Sequence, residues 1–176
     1  MLKLYIYIIL FLGFNNLTAQ IDYPIDESTK LITYTEVVQE NGTITELHQN
    51  IHQWAFSFYK NPYNVVKEDS PNKLLMRPRF KIMNPSDKKG VKTMAGIVIY
   101  TLEIYIKEGR YKYKLSNIQW KRTSKYPIER WLDKSAPSYS KKYDFYLKQV
   151  DAEAKKVIAS FKEGIKQKKK KEEENW

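Results

Sequence analysis

His48 and His52 stand four residues apart, the spacing that puts two imidazoles on one face of a helix where a metal ion can bridge them. The run His48-Gln49-Asn50-Ile51-His52 lacks the acid of an HExxH motif, and the sequence offers no third ligand beside the chain's 2 histidines. A solvated histidine pair is therefore expected, with no metal and no cofactor. Serine–histidine–acid chemistry is formally available, but neither a nucleophile elbow nor a glycine-rich oxyanion loop accompanies it. No catalytic residue is assigned. The absence of cysteine excludes thiol nucleophiles, Cys zinc sites, iron–sulfur clusters, disulfides and thiol-linked lipids.

The cations remain. Lys+Arg total 31 against 20 Asp+Glu, a formal charge of +11, so a polyvalent partner is expected to be anionic. From Lys73 to Met83 the even positions Leu74, Met76, Phe80 and Ile82 are apolar, opposed by Lys73, Arg77, Arg79 and Lys81. This is the alternation of a half-buried antiparallel strand, with Pro78 marking an edge or a bulge. Lys92 to Lys107 puts Tyr100, Leu102, Ile104 and Ile106 on one face and Thr101, Glu103 and Tyr105 on the other, and Glu108-Gly109 is a hairpin turn. Arg110 to Trp120 sets Tyr111, Tyr113 and Leu115 against Arg110, Lys112 and Lys114. A bulge at Ser116-Asn117 then hands the apolar side to Ile118 and Trp120. The candidate binding surface is thus one sheet face carrying Arg77, Arg79, Lys81, Tyr105, Arg110, Lys112 and Lys114. Its bland counterpart is a solvated face whose like charges discourage edge pairing.

Other elements must hold these strands. Gln20 to Lys30 is an extended lead-in, and Leu31 to Val38 is the first strand. Thr43-Ile44-Thr45-Glu46 is a capping box that starts a helix with its stripe at Leu47, Ile51, Trp54, Ala55 and Phe58. Asn61-Pro62 ends that run, Asn64 to Lys67 is a short strand candidate, and Asp69-Ser70-Pro71-Asn72 is a turn. Lys121 to Tyr139 is a long connection in which Ile128 to Leu132 can form one helical turn, anchored by Trp131. From near Ser140 the stripe Tyr143, Leu147, Val150, Ala154, Val157, Phe161 and Ile165 makes an amphipathic helix, its end projecting because Lys141 to Gln167 spans about 40 Å. Trp54 and Phe161 should meet in one core.

At the N-terminus, Lys3 precedes an apolar run of about 11 residues, Leu4 to Phe14, far short of the roughly 20 that span a bilayer. Polar residues and Ala19 follow, so residues 1–19 read as a signal peptide cleaved after Ala19. An uncleaved anchor is the alternative. The expected organisation is a signal peptide (1–19), the lead-in (20–30), one domain (31–167) and a charged tail (168–176). The mature protein would be periplasmic or secreted, with no transmembrane segment.

Read together, Tyr23-Pro24-Ile25-Asp26, Ile32-Thr33-Tyr34-Thr35-Glu36-Val37-Val38, Trp54, Tyr100-Thr101-Leu102-Glu103-Ile104, Lys107-Glu108-Gly109-Arg110-Tyr111 and Pro127-Ile128-Glu129 carry a resemblance. Over about Ile21 to Ile165 the chain resembles the secreted bacterial family called domain of unknown function 4468. The resemblance implies an α+β, TBP-like fold: an antiparallel sheet with one capped helix after the first strand and a long C-terminal helix packed on one face. It also implies an envelope setting and carries no catalytic residues. The leading expectation is a non-enzymatic binding or interaction module meeting an anionic glycan, a lipid head group or an envelope protein. The alternatives are a hydrolase with a loop-assembled site, or a nucleic-acid binder by analogy with the TBP-like open sheet, which export disfavours.

Overall fold

The computed structural model describes residues 22–173, and the expected signal segment 1–19 lies outside them. The elements are β1 (Tyr34–Gln39), α1 (Ile44–Phe58), α2 (Pro62–Val65), β2 (Val66–Ser70), β3 (Lys73–Met76), β4 (Arg79–Met83), β5 (Met94–Lys107), β6 (Arg110–Lys121), β7 (Lys125–Pro127), a 3-10 turn (Ile128–Trp131) and α3 (Lys142–Glu173). The strands form one antiparallel sheet ordered β1-β6-β5-β3-β2, with β4 continuing beside β5 and β7 folding back on the end of β6. Both long helices cover the same face, so β3, β5 and β6 each have one packed side and one side turned away from the helices.

Local chemistry sets most boundaries. The capping box forms: the Thr43 N–H donates to Glu46 Oε2 at 2.7 Å and the Glu46 N–H donates to Thr43 Oγ1 at 3.2 Å. These bonds hold the Glu46 carboxyl below the usual carboxylate range. The bulge lies where Thr101 pairs with Ser116 but Ile99 pairs with Gln119, leaving Asn117 with φ of 50°. Pro78 splits the expected Lys73–Met83 strand, β3 pairing with Leu102–Tyr105 and β4 with Met94–Ile99. A proline donates no ladder hydrogen bond, and the Pro78 carbonyl still accepts from the Tyr100 N–H at 3.3 Å.

Four expectations change. Asn64–Lys67 does not start a strand: Pro62 opens the short helix α2, capped by Asn61, and β2 begins only at Val66. β2 then absorbs Asp69 and Ser70, leaving Pro71-Asn72 as the turn. Leu31 to Thr33 stay off the β1 ladder because Ile32 bridges Ile25 and donates its N–H to Glu129 Oε1 at 2.9 Å. The long connection holds the helical turn expected at Ile128 to Leu132, as a 3-10 turn, but also an unexpected strand, β7, ahead of it.

The core lies between sheet and helices. Tyr100, Leu102, Ile104 and Ile106 of β5 and Tyr111, Tyr113, Leu115 and Trp120 of β6 are buried beneath α1 and α3. Trp54 meets Phe161 edge-to-face at 4.9 Å between ring centroids, and Phe161 in turn meets Tyr111 at 5.1 Å. Two glycines permit close approaches. A Cβ on Gly164 would lie 2.8 Å from Trp54 Cδ1, and one on Gly96 would lie 2.3 Å from Trp120 Nε1. Asp151 is buried but paired, accepting from the Tyr34 hydroxyl at 2.9 Å and from Lys155 Nζ at 2.7 Å.

Candidate functional site

Strand alternation sends the predicted cations to the bare face, and ladder register decides which of them meet. Val37 of β1 faces Lys112 of β6, which faces Tyr105 of β5, which faces Lys73 of β3. One row on, Thr35, Lys114, Glu103 and Leu75 align, and toward the hairpin Gln39, Arg110 and Lys107 align. Arg79 and Lys81 instead face Ile99 and Ile97, with Gln119 and Lys121 beyond. Tyr105 and Ile99 are six residues apart on one strand, so the two groups sit about 20 Å apart. The expected single patch is therefore two: Arg110, Lys112 and Lys114 at one end, and Arg79 and Lys81 at the other. Arg77 lies in the connection between β3 and β4, beside the second group.

The first group surrounds a shallow depression of about 590 Å³ between Val37, Tyr105, Lys107, Arg110, Lys112 and Lys114, with Glu103 at its side. Val37 and Tyr105 are 52% and 39% exposed, which leaves an apolar surface and an aromatic ring among the charges. The Tyr105 hydroxyl donates to Glu103 Oε1 at 2.9 Å, and that bond, with partial burial, pushes the phenol above its ordinary pKa. Lys73 approaches the same ring at 5.8 Å but pairs with Glu68 at 2.8 Å. The Glu108 carboxylate turns toward the N-terminus of α1, accepting from the Ile44 N–H at 3.3 Å. Among the described residues, Lys107, Arg110, Lys112 and Lys114 have no acidic partner. Sequence reasoning omitted Lys107, although its place two residues beyond Tyr105 on the same strand face was a sufficient signal.

The histidines are not simply solvated. Asp69, expected in a turn, lies in β2 on the helix side, with Oδ1 2.6 Å from His48 Nε2 and Oδ2 3.3 Å from His52 Nε2. His52 also stacks on Phe56 at 4.0 Å. One carboxylate thus ties the edge strand β2 to α1. Among the described residues no group of three or more His, Asp or Glu is arranged to hold a metal ion.

A larger groove of about 810 Å³ runs between β1 and α3, but Tyr34 and Lys155 in its lining are engaged by Asp151, and Tyr113 and Lys162 by Glu36. Glu36 accepts from Lys162 Nζ at 2.9 Å and from the Tyr113 hydroxyl at 2.8 Å, and these bonds lower its pKa.

The family described as domain of unknown function (DUF4468) with TBP-like fold matches residues 34–121, the segment from β1 to the end of β6. Two crystal structures share the architecture. A TBP-like protein from Parabacteroides distasonis superposes with a TM-score of 0.58 at 16% identity, covering 77% of this chain and 93% of its own. A DUF4468 family protein from Bacteroides ovatus gives 0.57 at 17% identity, covering 78% of this chain and 90% of its own. Likeness at that identity shows the fold alone, and no curated protein matches. The family match spans β1 to β6, including both cationic groups, and the chain belongs to the DUF4468 family with its TBP-like fold.

Proposed function

We propose that this chain is an exported, non-enzymatic binding module that holds an acidic glycan of the envelope against the β6 end of its bare sheet face. The observation that carries the reading is Lys107 directly opposite Arg110 with Lys112 beside them and, among the described residues, no acid paired with any of the three; Lys114, one row on, faces Glu103, whose carboxylate accepts from Tyr105. Like charges facing each other across a ladder are destabilising, so they are better accounted for by a partner than by the fold. Their fields sum over the depression, and single exposed charges would be screened within about 10 Å at ordinary salt. The Tyr105 ring adds a flat surface on which a sugar can rest. A linear polyanion is long enough to reach the second group at Arg79 and Lys81 as well.

The test is salt elution from immobilised heparin. Arg110→Glu with Lys112→Glu should elute at clearly lower salt than the unaltered protein while melting at the same temperature. Elution at the unaltered salt concentration would overturn the reading. So would an equal loss on reversing Lys148 and Lys156, which lie exposed on α3, because retention would then follow net charge alone. Export is tested by N-terminal sequencing: a mature chain beginning at Gln20 is expected, and recovery of Leu4 to Phe14 in the membrane fraction would refute it.

A further inference from the structure

We infer that the cavity beside the β6–β7 turn is a second binding site, for a small sugar bearing an oxyanion, its phosphate or carboxylate held by Arg122 and Arg130. The cavity measures about 470 Å³ and has no acidic residue in its lining. That volume falls within the range of small-molecule sites and exceeds what a bare ion requires. Arg122 lies over the Trp120 ring at 5.0 Å, and Arg130 lies over the Tyr126 ring at 5.2 Å. Each cation–π contact holds a guanidinium near an aromatic ring without using its N–H groups, which can still make a bidentate contact with an oxyanion. Trp120 is itself held by Trp131, 5.3 Å away, so one arginine platform is rigid before any ligand arrives.

Of the acids close by in the chain, Asp133 accepts from Ser135 and Asp144 from the Tyr139 hydroxyl, while Glu129 accepts from the Ile32 N–H through Oε1 and its Oε2 is buried without a hydrogen-bond partner, outside the lining of the cavity. Neither arginine has an ion-pair partner among the described residues. The hydroxyls of Thr123 and Ser138 in the lining can donate to and accept from sugar hydroxyls. This site lies at the opposite end of β6 from Arg110, Lys112 and Lys114 and does not depend on the glycan reading.

Calorimetric titration of the full mature chain with glucose 6-phosphate, glucuronate and glucose tests the inference. At least one anionic sugar should bind saturably with a Kd of about 1 mM or tighter, and glucose should not. Which of the two binds identifies the oxyanion. Arg122→Gln and Arg130→Gln should each weaken binding about tenfold, and Arg122→Lys should recover only part of the loss. Both arginines are exposed, so the fold should survive these changes, as a thermal melt would show. Arg110→Glu with Lys112→Glu should leave this binding unchanged. Failure of both anionic sugars to bind, equal binding of glucose, or unaltered affinity in both glutamine variants would overturn the inference. An equal loss in the sheet-face variant would do so too.

Discussion

The two faces of β5 and β6 are built from alternate residues of the same strands, yet they obey different rules. Toward the helices, Leu102, Ile104, Tyr111, Tyr113 and Leu115 are buried, and each side chain is constrained by rings and methyl groups around it. Toward solvent, Tyr105, Lys107, Arg110 and Lys112 are exposed, and the charges have no acidic partner among the described residues. The packed face is where stability resides, because burying apolar surface is the dominant favourable contribution to folding. The bare face can therefore be altered with little cost to the fold, and this separation makes its role open to experiment.

The largest expected effect is alkaline loss of the packed face. Burial raises the pKa of Tyr34, Tyr59, Tyr100, Tyr111 and Tyr113 above the ordinary phenol value. Because the folded values are raised, this stability is fully present below the unfolded pKa near about 10 and is lost as pH rises through the folded values. Far-UV circular dichroism should show cooperative unfolding well above pH 10, accompanied by tyrosinate absorbance. Tyrosinate forming throughout the core with the dichroism intact would break the contrast.

Next, Trp54→Ala should cost about 3–5 kcal/mol in urea unfolding, because Phe161 and Phe58 would border a cavity. Gly164→Ala should cost less, about 1–2 kcal/mol. Alanine favours the helix, but its Cβ would press on Trp54 Cδ1, and overpacking outweighs propensity. A stabilised Gly164→Ala protein would show that the α1–α3 contact can yield.

The smallest effect belongs to the second cationic group. Arg79→Glu with Lys81→Glu should leave the melting temperature unchanged and reduce heparin retention less than the change at Arg110 and Lys112. Equal reductions would indicate that the two ends act as one surface despite their separation of about 20 Å.

Several features were legible because their physics is local. The Thr43–Glu46 box needs only four residues, the β5 and β6 alternation follows from the two-residue repeat, and the α3 stripe follows from the 3.6-residue turn. The slip at Ser116-Asn117 was visible because a bulge reverses the apolar phase. Other features depend on register between distant segments. Asp69 reaches His48 and His52 because β2 lies beside α1, and a turn-like local composition concealed its strand. Arg79 was grouped with Arg110 because alternation reports the face of a strand, not the position along its neighbour. The Arg122–Arg130 cavity was hidden for a related reason: it depends on β7 and the 3-10 turn folding a loop back over Trp120.

By itself, then, the amino-acid sequence determined the long elements α1, β5, β6 and α3, which side of each is apolar, and that an excess of cations would face away from the core. Those properties follow from propensity, periodicity and capping, all of which act over a few residues. Tertiary structure alone decided which charges became neighbours, since strand register and the break at Pro78 divided one nominal cationic face into two. It also decided that Lys107 and Arg110 would oppose each other without an acid, because the hairpin aligns them while Glu108 turns toward α1.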